Sequence, residues 1–322
     1  MYQHSRQLNL LHFIIHLHSN DMRVLDILCD DFIYNPKNEN DFIRSEFNFD
    51  ILVEDDDRTI GKPTGDFSYA YDFEANLLHL KYLNGAINID IDYTKRSVFA
   101  VISRSSLSCG AALGNWILTI PLAEFLKEYG MYFIHAACLE YAGKSVLFAG
   151  KSGFGKTTIS LGLMKKGWNL IADDEVFLFE KVAFYAVGGP EKAKISYKTW
   201  QKFVDILGET AAFPNKRTIN LSAFFSDKMR EFGKVHSLCL IRQGMENRIN
   251  RLKPIDAFQR LFSLAFLNSN PESTRSNFEF LANLCRNCHC YELENNLDFD
   301  SLHAFLLDEL FAHPKSIGLS SE

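Results

Sequence analysis

The residues best equipped for chemistry form one octet, Gly150-Lys151-Ser152-Gly153-Phe154-Gly155-Lys156-Thr157, with the pattern G-x-x-x-x-G-K-[ST]. This is the loop that cradles nucleotide phosphates. Successive backbone N–H groups over Gly153–Thr157 point at a β-phosphate, and the start of a helix adds positive potential. Glycine is needed where the backbone must approach an oxygen closely or take φ > 0. Lys156 reaches the β- and γ-phosphates as a point charge, and Thr157 offers a hydroxyl to Mg²⁺. Thr158 is counted with this cradle. Asp173 and Asp174 follow, at the end of a second apolar run. Adjacent residues at a strand end send their side chains to different sides. One carboxylate can therefore hold magnesium, and the other can face an acceptor hydroxyl. Glu175, the next acid, reads as a surface charge.

The flanking elements suit this layout. Ser145–Ala149 is an apolar run that reads as a strand, Thr157–Lys166 reads as a helix stopped by Gly167, and Trp168–Ala172 reads as a second strand. Upstream, Met131–Leu139 reads as a strand carrying His135. A histidine in such a run is, taken alone, an ordinary buried residue.

The set taken together is more specific. His135 lies 21 positions before Lys156, Asp174 lies 18 positions after it, and Lys165-Lys166-Gly167 and Ala172-Asp173-Asp174 fall between and beyond. The stretch His135–Phe179 resembles the catalytic core of bacterial HPr kinase/phosphorylase, which shares its fold with phosphoenolpyruvate carboxykinase. The resemblance implies an α/β fold: a phosphoenolpyruvate-carboxykinase-like P-loop kinase core of mixed sheet with flanking helices. It implies ATP and Mg²⁺ as cofactors and Asp174 as the general base. It places His135 beside that aspartate and the transferring phosphoryl group. Thr157 and Asp173 are then the expected magnesium ligands.

There are departures. A Glu-Ile-Arg-Gly-Leu-Gly-like signature, which carries a metal-binding Glu in HPr kinase, is absent, and Val187–Ile195 stands in its place. Glu191, in that segment, is the expected second magnesium ligand. The N-terminal region does not match the regulatory domain of HPr kinases. The layout is closer to HPr-kinase-like proteins found with peptide-modification systems, whose later half here would be a strand at Ser237–Arg242, a helix at Asp256–Leu267 and a strand at Cys290–Leu293. A cation is also needed for charge developing on the γ-phosphate. Lys194, Lys216, Arg217, Arg242 and Arg248 are candidates. The Lys216-Arg217 pair, between the loop Phe213-Pro-Asn215 and the short strand Thr218–Leu221, is favoured, with Arg217 taken as the catalytic cation.

The rest of the chain carries less chemistry. Residues 1–33 form a strand or a short amphipathic helix, which periodicity does not decide. His12 and His16 are four apart but have no third ligand nearby, so a surface element is expected rather than a metal site. Residues 34–106 read as β-rich. Phe47–Val53 alternates, Glu54–Asp57 and Gly61–Gly65 read as turns, and Asn84-Gly85 joins Leu77–Leu83 to Ala86–Ile91 as a hairpin. Ser97–Ile102 is a further strand. Residues 110–129 read as a helix kinked or divided at Pro121. The expected division is a β-rich region at 1–108, a candidate layer for binding a substrate or partner, and a kinase domain at 109–322. Cys285-x-x-Cys288-His289 has the spelling of a c-type haem attachment site. Haem attachment requires export, and the N-terminus lacks a cleavage site. The expected reading is a helix end at Phe278–Cys285, a turn, and a strand from Cys290. Ser301–Leu310 reads as a helix, and residues from His313 on as a frayed tail.

Composition excludes several classes. With a net charge of −6 and no basic block, nucleic acid has no electrostatic footprint. The odd, scattered set of seven cysteines fits a reducing cytoplasm. No apolar run reaches the ~18 residues of a membrane helix. Three readings follow: an ATP-dependent kinase acting on a Ser or Thr hydroxyl of a peptide or small protein; a small-molecule kinase or carboxykinase-like enzyme on the same core; and a nucleotide-binding module that regulates a partner without chemistry. A homo-oligomer is compatible with the resemblance.

Overall fold

A computed structural model describes residues 2–10, 13–31, 45–55, 67–188, 192–214, 216–264 and 271–310. The chain forms two compact units, Met1–Phe133 with Phe266–Phe278, and Ile134–Ala265 with Glu279–Glu322. The division falls at 133/134, where the sequence suggested 108/109, because the helical stretch after residue 110 is held by the first unit. Phe125 stacks on Phe47 with ring centroids 4.9 Å apart and planes 5° from parallel.

The first unit begins with β1 (His4–Leu10), β2 (Phe13–Ser19), α1 (Met22–Asp31) and β3 (Ser45–Glu54). It continues with β4 (Phe67–Asp72), β5 (Leu77–Tyr82), β6 (Ile87–Asp92) and β7 (Ser97–Ser103). Among the described residues these strands make one seven-stranded sheet, ordered β1-β2-β3-β7-β6-β5-β4. Alternation produces it: Phe47, Phe49, Ile51 and Val53 are buried, while Glu46, Asn48 and Glu54 are exposed. Asn84 (φ 54) and Gly85 (φ 80) turn the chain between β5 and β6 as the Asn-Gly signal requires. The helical stretch is α2 (Ala111–Leu113), a wide π turn (Gly114–Thr119) and α3 (Ile120–Lys127). Pro121 stands in the first turn of α3, where its missing N–H does least harm. The expected kink is thus a widened turn just before it. β8 (Met131–Ile134) follows. His16 Nε2 lies 3.1 Å from Glu46 Oε2. His12, the acids Asp56 and Asp57, and the Gly61–Gly65 turn lie outside the described residues.

The second unit holds β9 (Ala136–Tyr141), β10 (Lys144–Ala149), α4 (Lys156–Lys165), β11 (Asn169–Ala172), β12 (Val176–Glu180) and β13 (Phe184–Gly188). Next come β14 (Lys192–Ile195), α5 (Tyr197–Lys202), α6 (Val204–Leu207), β15 (Arg217–Asn220), β16 (Phe232–Gln243) and β17 (Arg248–Arg251). The last elements are α7 (Pro254–Phe262), α8 (Pro271–Asn287), whose residues up to Phe278 count with the first unit, β18 (His289–Asn295) and α9 (Phe299–Leu310). Its strands run side by side as β11-β9-β10-β16-β13-β12, and β18 pairs with β16 and β17. β10 and β18 are parallel to β16, whereas β9 and β13 are antiparallel to their neighbours. The result is a mixed α/β fold, as expected.

α4 is seated by apolar burial on both sides. Ile159, Leu161, Leu163 and Met164 share a core with Phe148, Trp168, Leu302 and Leu306. A Cβ at Gly162 would lie 2.2 Å from the Phe299 ring, so only glycine lets α9 cross α4 this closely. Gly167 (φ +93) then reverses the chain into β11. Cys109, Cys138, Cys239, Cys285, Cys288 and Cys290 are free thiols. Cys285 ends in α8, Cys288 in the turn and Cys290 in β18, the arrangement expected of helix, turn and strand. The Cys290 thiol is directed at the carbonyl oxygens of Cys285 and Cys288 (3.5 and 3.6 Å). Among the described residues no three His, Cys, Asp or Glu side chains gather as a metal cluster, and no helix is long and apolar enough to cross a membrane.

Candidate active site

β10 delivers the chain into the octet, and α4 carries it away. Gly153 and Gly155 take φ of +90° and +93°, a conformation glycine adopts without the Cβ clash. Gly150 sits closely for another reason: a Cβ there would lie 3.1 Å from the carbonyl of Ile241 on β16, a tight approach that the neighbouring strand would have to relieve. Two contacts pin the loop. Gln243 Nε2 donates to the Gly153 carbonyl at 2.9 Å. Lys156 Nζ donates to the Gly150 carbonyl at 2.8 Å. Lys156 is buried, and burial lowers its pKa, with Lys216 adding to the effect and Asp174 and Asp173 opposing it. Thr158 Oγ1 turns away from the loop, 3.0 Å from Thr199 Oγ1 near the start of α5.

The two aspartates diverge as adjacent residues should. Asp173 faces α4. Thr157 donates to its Oδ2 at 2.7 Å, and Ser160 donates to its Oδ1 at 2.8 Å. Burial, and then the charge of Asp174, push the Asp173 carboxyl up to about 7, against the two hydroxyls and Lys156. Asp174 turns the other way. Its φ of +68° lies in the left-handed region, a conformation that costs a non-glycine residue about 1–3 kcal/mol and gathers at functional sites. From there Oδ1 stands 3.9 Å from Lys156 Nζ and 3.9 Å from His135 Nε2.

His135 sits in a break between β8 and β9, so the continuous strand expected over Met131–Leu139 is interrupted at this residue. The interruption frees its ring: Nδ1 lies 3.0 Å from the Asp174 carbonyl. A carbonyl can only accept, so Nδ1 carries the proton and Nε2 presents a lone pair toward the Asp174 carboxylate. Burial and then the Lys156 charge lower the His135 pKa, while Asp174 opposes them.

The cation favoured from sequence is not brought here. Arg217 lies exposed on β15, with its guanidinium over Phe213 (4.8 Å) and Trp200 (5.6 Å) and donating to Thr210 Oγ1 at 3.2 Å. Its neighbour Lys216 is the one whose charge is felt at both His135 and Lys156. Glu191 lies outside the described residues. Ser160 and Gln243 reach the site without belonging to any sequence motif. Ser160 lies one helical turn beyond Thr157, so it shares the face that meets Asp173; that spacing was the available signal.

The donor set fits magnesium. One buried carboxylate and one hydroxyl, beside a phosphate cradle, is how this ion is commonly held, with phosphate oxygens and water completing the shell. A cation beside Asp173 also offsets the burial that otherwise favours its proton.

Comparison with known proteins singles out the same part of the chain. The family model for the HPr serine kinase C-terminal domain matches residues 130–198. This stretch is HPr-kinase-like. The HPr kinase/phosphorylase of Lactococcus lactis subsp. lactis (strain IL1403) is 40% identical over 76 residues, 24% of each chain. That of Lactobacillus acidophilus is 44% identical over 59 residues, 18% of each chain. The Hpr(Ser) kinase/phosphatase of Coxiella burnetii, a solved structure, is 14% identical with a TM-score of 0.28, over 48% of this chain and 94% of that one. The matched segment thus spans about a quarter (24%) of the length of the Lactococcus relative. The HPr-kinase-like stretch contains His135, the octet and both aspartates, and it ends before Lys216 and Arg217.

Proposed function

We propose that this protein is an ATP-dependent phosphotransferase that moves the γ-phosphate of ATP to a Ser or Thr hydroxyl of a peptide or small protein, with Mg²⁺. The observation that carries this reading is the open triangle at Asp174. Its carboxylate stands 3.9 Å from the Lys156 ammonium and from His135 Nε2, too far for a hydrogen bond and far enough to admit a reacting oxygen.

The loop from Gly150 to Gly155 and the start of α4 bind the triphosphate through backbone N–H groups. Lys156 gives up its Gly150 contact to meet the β- and γ-phosphate oxygens. Thr157 and Asp173 would hold magnesium, which when bound supplies charge neutralisation at those oxygens. Asp174 accepts the proton of the acceptor hydroxyl. The hydroxyl oxygen bonds to the γ-phosphorus as the bond from that phosphorus to the bridging oxygen breaks, and ADP leaves with that electron pair. His135, whose Nδ1–H donates to the Asp174 carbonyl at 3.0 Å, holds Asp174 in place beside the incoming hydroxyl. Lys216 adds positive field where charge builds on the γ-phosphate.

The test is labelled ATP with Mg²⁺ and a cell extract, followed by mass spectrometry for phosphoserine and phosphothreonine. The reading expects one peptide or small protein to gain label with the wild-type chain and none with Lys156→Ala. Label appearing only on free small molecules contradicts the acceptor class.

A further inference from the structure

Asp173 is 6% exposed, and both of its oxygens are engaged by side-chain hydroxyls from a single helix. Magnesium chemistry accounts for one of them, Thr157. It does not account for the other. Ser160 is fully buried, so water cannot satisfy its hydroxyl. Its single proton has two acceptors in reach, Asp173 Oδ1 at 2.8 Å and the Lys156 carbonyl at 3.2 Å. The carbonyl one turn back is the default partner of a serine inside a helix. Here the carboxylate is closer, and a charged acceptor makes the stronger bond. Alanine would suit the helix better by intrinsic propensity, so the hydroxyl serves the carboxylate rather than the helix.

One donor holds one oxygen of a carboxylate and leaves the group free to turn about its terminal torsion. Two donors, on opposite oxygens, fix its plane. We propose that Ser160 is a positioning residue, holding Asp173 Oδ1 so that Oδ2 stays beside the Thr157 hydroxyl, where these two residues would hold a divalent cation. The inference rests on the phosphotransferase reading and assigns within it the group that orders the metal-binding carboxylate. Ser160 itself touches neither metal nor nucleotide.

The test uses Ser160→Ala and Ser160→Thr in the full chain. Mn²⁺ binding is read by electron paramagnetic resonance with a non-hydrolysable ATP analogue present, and analogue binding is read separately without metal. Loss of an outer partner of a metal ligand typically weakens metal binding ~10–100-fold. Ser160→Ala should show that weakening, with metal-free analogue binding unchanged. Ser160→Thr keeps the donor and should recover most of the affinity. A Ser160→Ala protein that melts as a folded chain and binds Mn²⁺ within about twofold of wild type, outside that ~10–100-fold range, overturns the assignment. So does equal weakening in both variants, since that tracks packing at a buried site rather than the hydroxyl. A wild-type chain with no metal-dependent analogue binding overturns the phosphotransferase reading itself, a result distinct from either.

Discussion

Each unit buries an ionic cluster, and the two are built differently. In the first unit Lys127 Nζ lies 2.7 Å from Glu124 Oε1, and Tyr93 donates to Glu124 Oε2 at 2.9 Å. Glu124 and Lys127 are both buried, and their charges are closed on each other. In the second unit Lys156 is equally buried, yet its ammonium stops 3.9 Å short of Asp174 and contacts a loop carbonyl instead. Among the described residues Asp173 keeps two neutral donors and no cation in contact. A buried pair that only has to be stable closes up. Under the proposed function the second site must take in phosphate and metal, and its charges stay apart, with shifted proton affinities and a left-handed Asp174.

That contrast can be broken from either side. Lys127→Ala leaves Glu124 buried without its cation and should cost about 3–5 kcal/mol of unfolding free energy, measured by urea denaturation, with ATP affinity of the folded fraction unchanged. Lys156→Ala should do the reverse. Loss of a charge-assisted contact of about 3 kcal/mol is roughly 10²-fold in affinity, so calorimetric titration with an ATP analogue should show near-complete loss of binding while the urea midpoint holds or rises.

Asp173→Asn sharpens the comparison through pH. The folded chain holds the Asp173 proton up to about 7, well above its unfolded range. A raised folded pKa means stability is greatest at low pH and is given up as the pH climbs from the ordinary carboxylate range to about 7. In metal-free buffer Asp173→Asn should therefore melt higher than wild type at about pH 8, and the gain should shrink toward about pH 4. The smallest effect belongs to Gln243→Ala. It removes one exposed contact to the Gly153 carbonyl, worth about 0.5–1.5 kcal/mol, and should raise the KM for ATP a few-fold with kcat unchanged.

The features legible in the sequence are those set by neighbours a few residues apart. The octet, the Asn84-Gly85 turn, the alternation of Phe47–Val53 and the divergence of Asp173 from Asp174 all follow from local geometry. What was illegible depends on partners far along the chain. The break at His135 exists because its ring reaches the Asp174 carbonyl. The helical stretch joins the first unit because Phe125 finds Phe47. Lys216 and Arg217 are adjacent cations, and only the stacking of Arg217 on Phe213 and Trp200 shows which of the two is occupied elsewhere. Ser160 looks like any helical serine until β11 brings Asp173 beside it.

In the proposed reaction the open triangle at Asp174 receives the acceptor hydroxyl. Its most direct measurement is single-turnover transfer of labelled γ-phosphate by Asp174→Asn beside wild type, at saturating nucleotide and metal. Removal of a general base typically costs ~10²–10⁴-fold. A loss of that size is expected, with ATP-analogue binding retained. Transfer at the wild-type rate by a folded Asp174→Asn chain would contradict it.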